Sequence, residues 1–231
     1  MAAVIGYSNK IDSATLSGWS NNANLQTRYL AQKATASGAL DIDLGSAQAV
    51  GLVALVSTSG VSSMTVTAGS SAGGSNLFSG TIAAYGGPDI AATFASVTAR
   101  YWRITASGSV GRVFLGPRFA PTWGTDWSPS IQVESRTAIS EALSGPEYFD
   151  ARPNRRVWRG HFSFLSPAEG YTWLGIQQAL DVSGEVYVVE DDDDTTYRGQ
   201  RNFCGRLRTL DAVEWPYQNH RAVGVEISEL L

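Results

Sequence analysis

The stretch Leu40-Asp41-Ile42-Asp43-Leu44-Gly45, followed by Ser46-Ala47-Gln48 and then Ala49-Val50-Gly51-Leu52-Val53-Ala54-Leu55-Val56, decides the fold class. Its first part alternates apolar and charged side chains, the period of a strand with one wet face. Its last part is short and continuously apolar, the pattern of a central strand covered on both faces. Between them Gly45 and its polar neighbours read as a turn. Working outward, Met64-Thr65-Val66-Thr67 within 63–68 alternates in the same way, and 101–106, beginning Tyr101-Trp102-Arg103-Ile104, reads as a further strand. With Ala, Ser, Thr and Gly abundant between these runs, residues 1–118 are expected to form a two-sheet sandwich.

The whole chain of 231 residues is longer than most single domains, and two modest domains are the expectation. Charged residues make up only 16% and hydrophobic ones 43%, with no apolar run long enough to span a bilayer, so membrane insertion is not expected. A formal net charge of −4 and only two lysines, Lys10 and Lys33, argue against direct nucleic-acid recognition, which draws affinity from a basic face. The single cysteine, Cys204, has no internal disulfide partner, and no N-x-S/T acceptor occurs. Assembly in a reducing cytoplasm fits, and the first ten residues lack the apolar core of a secretory signal.

Composition changes along the chain. Residues 1–118 carry 7 basic and 4 acidic side chains, and 119–231 carry 10 and 17. Two prolines and two glycines in Gly116-Pro117-Arg118-Phe119-Ala120-Pro121-Thr122-Trp123-Gly124 favour turns and extended backbone, which places a domain boundary there. Downstream, 130–138, 155–165, 185–190, 198–210 and 222–230 read as strands. One helix is expected over 167–180, with Ser166 as its cap and Pro167 at its first position. The fold class is therefore mainly β: a sandwich over 1–118, then a β-rich domain over 119–231 with one helix.

Catalytic motifs are sparse. Gly69-Ser70-Ser71-Ala72-Gly73 matches G-x-S-x-G, but Gly74-Ser75-Asn76 follows it where a helix should begin, so a flexible loop is the better reading. Asp191-Asp192-Asp193-Asp194 lacks the alternation, central glycine and distal glutamate of a calcium loop and reads as a hairpin tip. No catalytic residue, cofactor or metal is assigned, and the chain is expected not to be an enzyme. Trp19, Tyr29, Tyr85, Trp102, Trp123 and Trp127 could supply flat apolar faces for sugar rings. Core packing is the stronger reading for Trp102, and Trp19 and Tyr29 remain as candidate glycan-binding residues. Arg152, Arg155, Arg156 and Arg159 cluster at a strand, where guanidinium forks could grip carboxylates of another subunit or pair within the chain.

The segments Asn24-Leu25-Gln26-Thr27-Arg28-Tyr29-Leu30, Leu40-Asp41-Ile42-Asp43-Leu44-Gly45, Ala49 to Leu55 and Ala99-Arg100-Tyr101-Trp102-Arg103-Ile104, in that order, resemble discoidin-like or carbohydrate-binding-module jelly rolls. That resemblance covers roughly 1–118 and implies a jelly-roll fold more than a ligand. The second half resembles small β-rich tail-tip proteins of long-tailed bacteriophages, the distal tail and minor tail proteins. The cues are Arg155 to Phe164, the helix after Ser166-Pro167, Ser183-Gly184-Glu185-Val186-Tyr187-Val188-Val189, and Phe203-Cys204-Gly205-Arg206-Leu207. In familiar distal tail proteins the ring-forming domain comes first, whereas here the order is reversed.

This second resemblance implies a virion structural protein at the tail tip, assembled in the host cytoplasm. It would form a homo-oligomeric ring, expected to be a hexamer, joining the tail tube to other tail proteins. The expected subunit interface sets Arg152, Arg155, Arg156 and Arg159 against Glu190, Asp191, Asp192, Asp193 and Asp194, with apolar help from Trp158. The alternative function is a glycan-binding module that contacts host surface sugar, and behind it a carbohydrate-active enzyme.

Overall fold

The computed structural model describes residues 3–126, 129–141 and 145–231. The chain begins with β1 (Val4–Tyr7), β2 (Thr15–Ser17), the long β3 (Ala34–Val56), β4 (Ser63–Gly69) and β5 (Phe78–Ala83). Next come the long β6 (Ile90–Val110), β7 (Arg112–Gly116), β8 (Arg118–Phe119), β9 (Ser130–Glu134), β10 (Ala138–Glu141) and β11 (Glu147–Asp150). It ends with β12 (Arg155–Leu165), α1 (Pro167–Leu180), β13 (Glu185–Val189), α2 (Arg198–Arg201), β14 (Phe203–Leu207), β15 (Glu214–Tyr217) and β16 (His220–Glu229). The fold is mainly β, as expected, with a β-sandwich at its front.

That sandwich is one sheet bent on itself. Its strand order is β2-β3-β6-β4-β5, with β7 added on β3. The stretches 40–44 and 49–56, expected as two strands, belong to the single strand β3, whose register against β6 shifts between Asp43 and Gln48 and again between Val50 and Leu52. Gly45 sits at the first irregularity with φ +75°, a conformation an L side chain resists. Past the first irregularity, Val50, Val53 and Leu55 share one core with Leu40, Ile42, Val66, Trp102 and Ile104. The alternate residues stay wet: Asp41 accepts two hydrogen bonds from Arg103 (2.6 and 2.9 Å) and Asp43 two from Arg100 (2.7 and 2.8 Å). The charged half of the Asp-Ile-Asp-Leu pattern is thus spent on cross-strand forks.

A second antiparallel sheet follows the order β8-β1-β13-β14-β16-β12-β9, with β15 added on β16. α1 covers one face, burying Trp173, Ile176 and Leu180 among Phe119, Phe162, Val186, Val188 and Ile227. Its start is a capping box: Glu169 N–H donates to the Ser166 hydroxyl, and Ser166 N–H donates to the Glu169 carboxylate at 2.7 Å. The other face packs on the sandwich, where Val4, Tyr187, Val189 and Cys204 meet Leu52, Ala54, Ala91 and Phe114. β13 is consequently buried at every position. This explains why Val186-Tyr187-Val188-Val189 is apolar without alternation.

Two expectations change. Residues 116–124, read as a linker at the boundary after Arg118, are built into the fold: β7 ends in the first sheet, and β8 pairs with β1 in the second. β1 itself, assigned by sequence to the unit 1–118, pairs Val4 with Val189 and Tyr7 with Val186. Its apolar run Ala3-Val4-Ile5 demands cover on both faces, which the middle layer supplies. Secondly, Arg198–Arg201 is a short helix where a strand was expected. The Asp194 carboxylate accepts N–H bonds from Thr196 and Tyr197 and turns the chain into it.

Polar contacts also join the halves. Arg112 is fully buried. Its Nε donates to Glu185 at 2.8 Å, one terminal nitrogen donates to the carbonyls of Leu25 and Thr27, and the other reaches Glu185 and Asp12. Burial opposes this charge, but the Glu185 hydrogen bonds and charge outweigh it and hold the guanidinium pKa above its ordinary value. Cys204 donates to the same Glu185 carboxylate, and burial, followed by that negative charge, pushes its thiol pKa well up. The cysteine is an inert core residue.

Candidate functional site

The charged residues proposed for a subunit interface are engaged within one chain. Arg152 pairs with Asp150, Arg155 with Glu134 and Arg159 with Glu226. Arg156 pairs with Glu229 at 2.5 Å, donates to the carbonyls of Gln200 and Asn202, and lies over the Phe203 ring. Opposite them in the sequence reading, Glu190 is buried beside Arg201, Asp192 pairs with Arg198, and Asp194 pairs with Arg201. Asp191 and Asp193 sit in the turn, where Asp193 N–H donates to Asp191. Trp158 is fully buried, its ring lying over the bare Cα of Gly160. The arginine group and the acidic run therefore do not form two free complementary faces. Among the described residues no three His, Cys, Asp or Glu side chains are grouped as a metal site.

Trp19 is also corrected. It is 3% exposed, and its indole N–H donates to the Gly38 carbonyl at 2.9 Å, so its ring belongs to the sandwich core. Tyr29 is 71% exposed, and Trp127 lies outside the described residues.

Another of the aromatics, Trp123, does present its ring: it is 73% exposed. Together with Phe164, 53% exposed, it borders two adjoining clefts. One, about 330 Å³, is closed by His220; the other, about 440 Å³, by Thr125, Asp126 and Ser163. Each wall has a local cause. Thr122 donates both its N–H (2.8 Å) and its hydroxyl (2.9 Å) to Glu169, so the capping carboxylate of α1 also fixes the residue before Trp123. Asp126 N–H then donates to the His161 carbonyl, laying this segment along β12. The register of β12 against β16 shifts between Phe162 and Leu165. That irregularity brings Leu165 into the core and leaves Phe164 outside, where its ring meets His220 edge-on at 5.8 Å.

The polar floor, Asp126 and Ser163, is hydrogen-bonded to His161. His161 Nδ1 donates to Asp126 Oδ2 at 2.7 Å, Ser163 Oγ donates to the same oxygen, and Ser163 N–H donates to Oδ1 at 3.2 Å. Partial burial raises the Asp126 pKa, but these bonds from Ser163 and His161 more than offset it and leave the carboxylate below its ordinary range. A serine, a histidine and an aspartate are thus together, but not as a nucleophilic relay. Serine and carboxylate both approach Nδ1, and the hydroxyl proton goes to Asp126, whereas a relay needs them on opposite ring nitrogens. Through Asp126 and Ser163 the cluster presents an ionised acceptor and a hydroxyl beside two aromatic faces, with His161 holding the carboxylate from behind the cleft lining. Thr125 Oγ and His220 Nδ1 are buried without partners among the described residues.

Sequence reasoning named Trp123 only as one aromatic of six, and it missed Thr125, Asp126, Ser163, Phe164 and His220 as a group. Strict alternation along β12 places Phe164 on the inner face with Trp158 and Phe162, and nothing in the residues announces the irregularity that turns it out.

No family model matches the chain. No curated protein matches it either. Solved structures match from 48% to 85% of it. The CBM32 of AlyQ in complex with 4,5-unsaturated mannuronic acid is 26% identical with a TM-score of 0.36, over 48% of this chain and 96% of that one. A chitosan-binding module 1 from a Paenibacillus sp. IK-5 chitosanase/glucanase is 19% identical with a TM-score of 0.36, over 48% and 98%. A Streptococcus pneumoniae fucose binding module is 18% identical with a TM-score of 0.36, over 48% and 95%.

Proposed function

We propose that this chain is a non-catalytic glycan-binding protein, with the Trp123–Phe164 surface as its binding site. The observation that carries the reading is the meeting of two exposed aromatic rings with an ionised, hydrogen-bonded carboxylate and a hydroxyl in adjoining clefts. A sugar ring has the matching chemistry, an apolar C–H face for stacking and hydroxyls around its rim that donate to carboxylates. The pre-formed Asp126–Ser163–His161 bonds fix those groups before a ligand arrives, which lowers the ordering cost of binding.

The test is retention on a glycan array by the full chain and by Trp123→Ala and Phe164→Ala. Both side chains are mostly exposed, so the variants keep the fold, and each is expected to weaken the retained glycan at least about tenfold. No retained glycan, or retention indifferent to both variants, refutes the proposal.

Assembly into a tail-tip ring is a second reading with one structural basis. Among the described residues β10 and β11 pair only with each other, and both are exposed throughout, displaying Ile139, Tyr148 and Phe149. An isolated two-stranded hairpin is marginal in water, and such a pair gains from cover by a neighbour. Mass measurement of the full chain, alone and with tail-tube proteins, tests it: a monomer in every case excludes the ring.

A further inference from the structure

The two clefts that share Trp123 and Phe164 differ in polarity. His220 closes the smaller, and Asp126 and Ser163 floor the larger. Phe164 and Ser163 of β12 and His220 of β16 place both on the second sheet. The Asp126 side chain lines its cleft and is 30% exposed, so its charge is open to a ligand. A carboxylate accepts about four hydrogen bonds. Three are supplied from within: His161 Nδ1 and Ser163 Oγ donate to Oδ2, and Ser163 N–H donates to Oδ1. Capacity for an outside donor remains. His161, as a neutral imidazole, donates its proton without cancelling the charge. A second carboxylate stands on the same segment, where Glu169 accepts the N–H and hydroxyl of Thr122. Partial burial raises the Glu169 pKa, but the bonds from Thr122 and Ser166 outweigh it and keep this group ionised too. Among the described residues no lysine or arginine lines either cleft. The surface is negative and has no cation of its own.

Resting on the reading of this surface as a glycan site, we infer that it selects glycans built of sugars with free amino groups and turns away acidic ones. A protonated amine on a sugar ring gives Asp126 a charge-assisted hydrogen bond, roughly twice as strong as one from a neutral hydroxyl or amide. The faces of Trp123 and Phe164 favour the same ligand, since an aromatic face attracts a cation. N-acetylation removes that charge but leaves the apolar ring face that stacks. A uronic acid instead brings a second carboxylate to a cleft already lined by one, and like charges set together exclude the wrong partner. Because the clefts adjoin, a neighbouring sugar of the same chain can lie beside His220 while the amine is on Asp126.

The experiment is calorimetric titration of the full chain at pH 6.5 and low salt with three probes: a glucosamine tetramer, the same tetramer fully N-acetylated, and a galacturonic acid tetramer. The glucosamine tetramer is expected to bind about tenfold more tightly than the N-acetylated one and at least about a hundredfold more tightly than the acidic one. The first ratio should shrink in about 0.5 M salt, which screens a partly exposed charge. In Asp126→Asn it should fall below about twofold, while Trp123→Ala weakens both sugars. Equal affinity for the first two probes, tighter binding of the acidic one, or a preference that survives Asp126→Asn overturns the inference. Each of these leaves the glycan-site reading standing as long as Trp123→Ala weakens whatever binds. If none of the three binds, the inference falls, and a blank glycan array takes the reading with it. The wild-type comparison decides the matter even if Asp126→Asn misfolds.

Discussion

Replacing Arg112 by methionine puts the seam between the two sheets to a direct test. The side chain is fully buried, and its donors reach Glu185, Asp12 and the carbonyls of Leu25 and Thr27. Methionine fills much of the same volume but donates nothing. Glu185, itself buried, then keeps the Asn9 amide at 3.2 Å and the Cys204 thiol as donors, with only the half-exposed, solvent-screened Arg28 guanidinium, 4.0 Å away, as a cation. Breaking a buried pair by removing one partner costs roughly 3–5 kcal/mol, because the remaining charge is buried without its counterion. Asp12 adds little, being nearly half exposed and screened. Urea unfolding at pH 7.5 is expected to show a loss of roughly that size for Arg112→Met. The double variant Arg112→Met/Glu185→Leu should recover about 2 kcal/mol, since it removes the stranded carboxylate while Asn9 keeps its bond to the Val113 carbonyl. A loss below about 1 kcal/mol for the single variant, or a double variant no more stable than the single one, would refute this account of the seam.

Three further outcomes follow from the structure. Asp89 carries its proton to about pH 7 when folded but releases it near 3.8 when unfolded, so its stabilising contribution is complete below 3.8 and is lost as pH rises from there to 7. Relative to Asp89→Asn, whose carbonyl still accepts the Ser57 N–H, the wild type should lose up to about 4 kcal/mol between pH 4 and pH 8; a constant difference between the two unfolding curves would contradict this. Glu169→Ala removes both the capping box and the tie to Thr122. It should cost about 1 kcal/mol, or about 2–4 °C in Tm, together with loss of hydrogen-exchange protection at the Thr122 amide; an unchanged amide would show that the segment is held some other way. A 119–231 fragment lacks β1, which lies beside β13 and carries β8, and its NMR spectrum should be that of an unfolded or molten chain.

The parts of this molecule that follow from local rules were legible in the residues. Ser166-Pro167-Ala168-Glu169 carries a complete helix start, and α1 spans the expected 167–180. The apolar run Val50 to Val56 is central, between β6 and β7. What was not legible depends on partners far away in the chain. Arg156 and Arg159 look like a free basic cluster until β16 brings Glu229 and Glu226 beside them. Trp19 sits among polar residues typical of an exposed loop, yet a single carbonyl acceptor on Gly38 permits its burial. The Trp123–Phe164 surface needs an irregularity in β12 and a carboxylate shared with the cap of α1, and neither has a local sequence signal.

The place of β1 also constrains how the chain is made. Val4–Tyr7 leaves the ribosome long before its principal partner, Glu185–Val189. Contacts so distant in sequence form slowly, since the long intervening loop must close before they are rewarded. Until then Ala3-Val4-Ile5 remains an exposed apolar strand edge, the kind of surface that chaperones hold and that aggregates when left uncovered. The sandwich, whose pairings are complete by Gly116, can form during that wait. Its Leu52, Ala54 and Phe114 would then stand ready as the surface on which β1 and β13 finally meet.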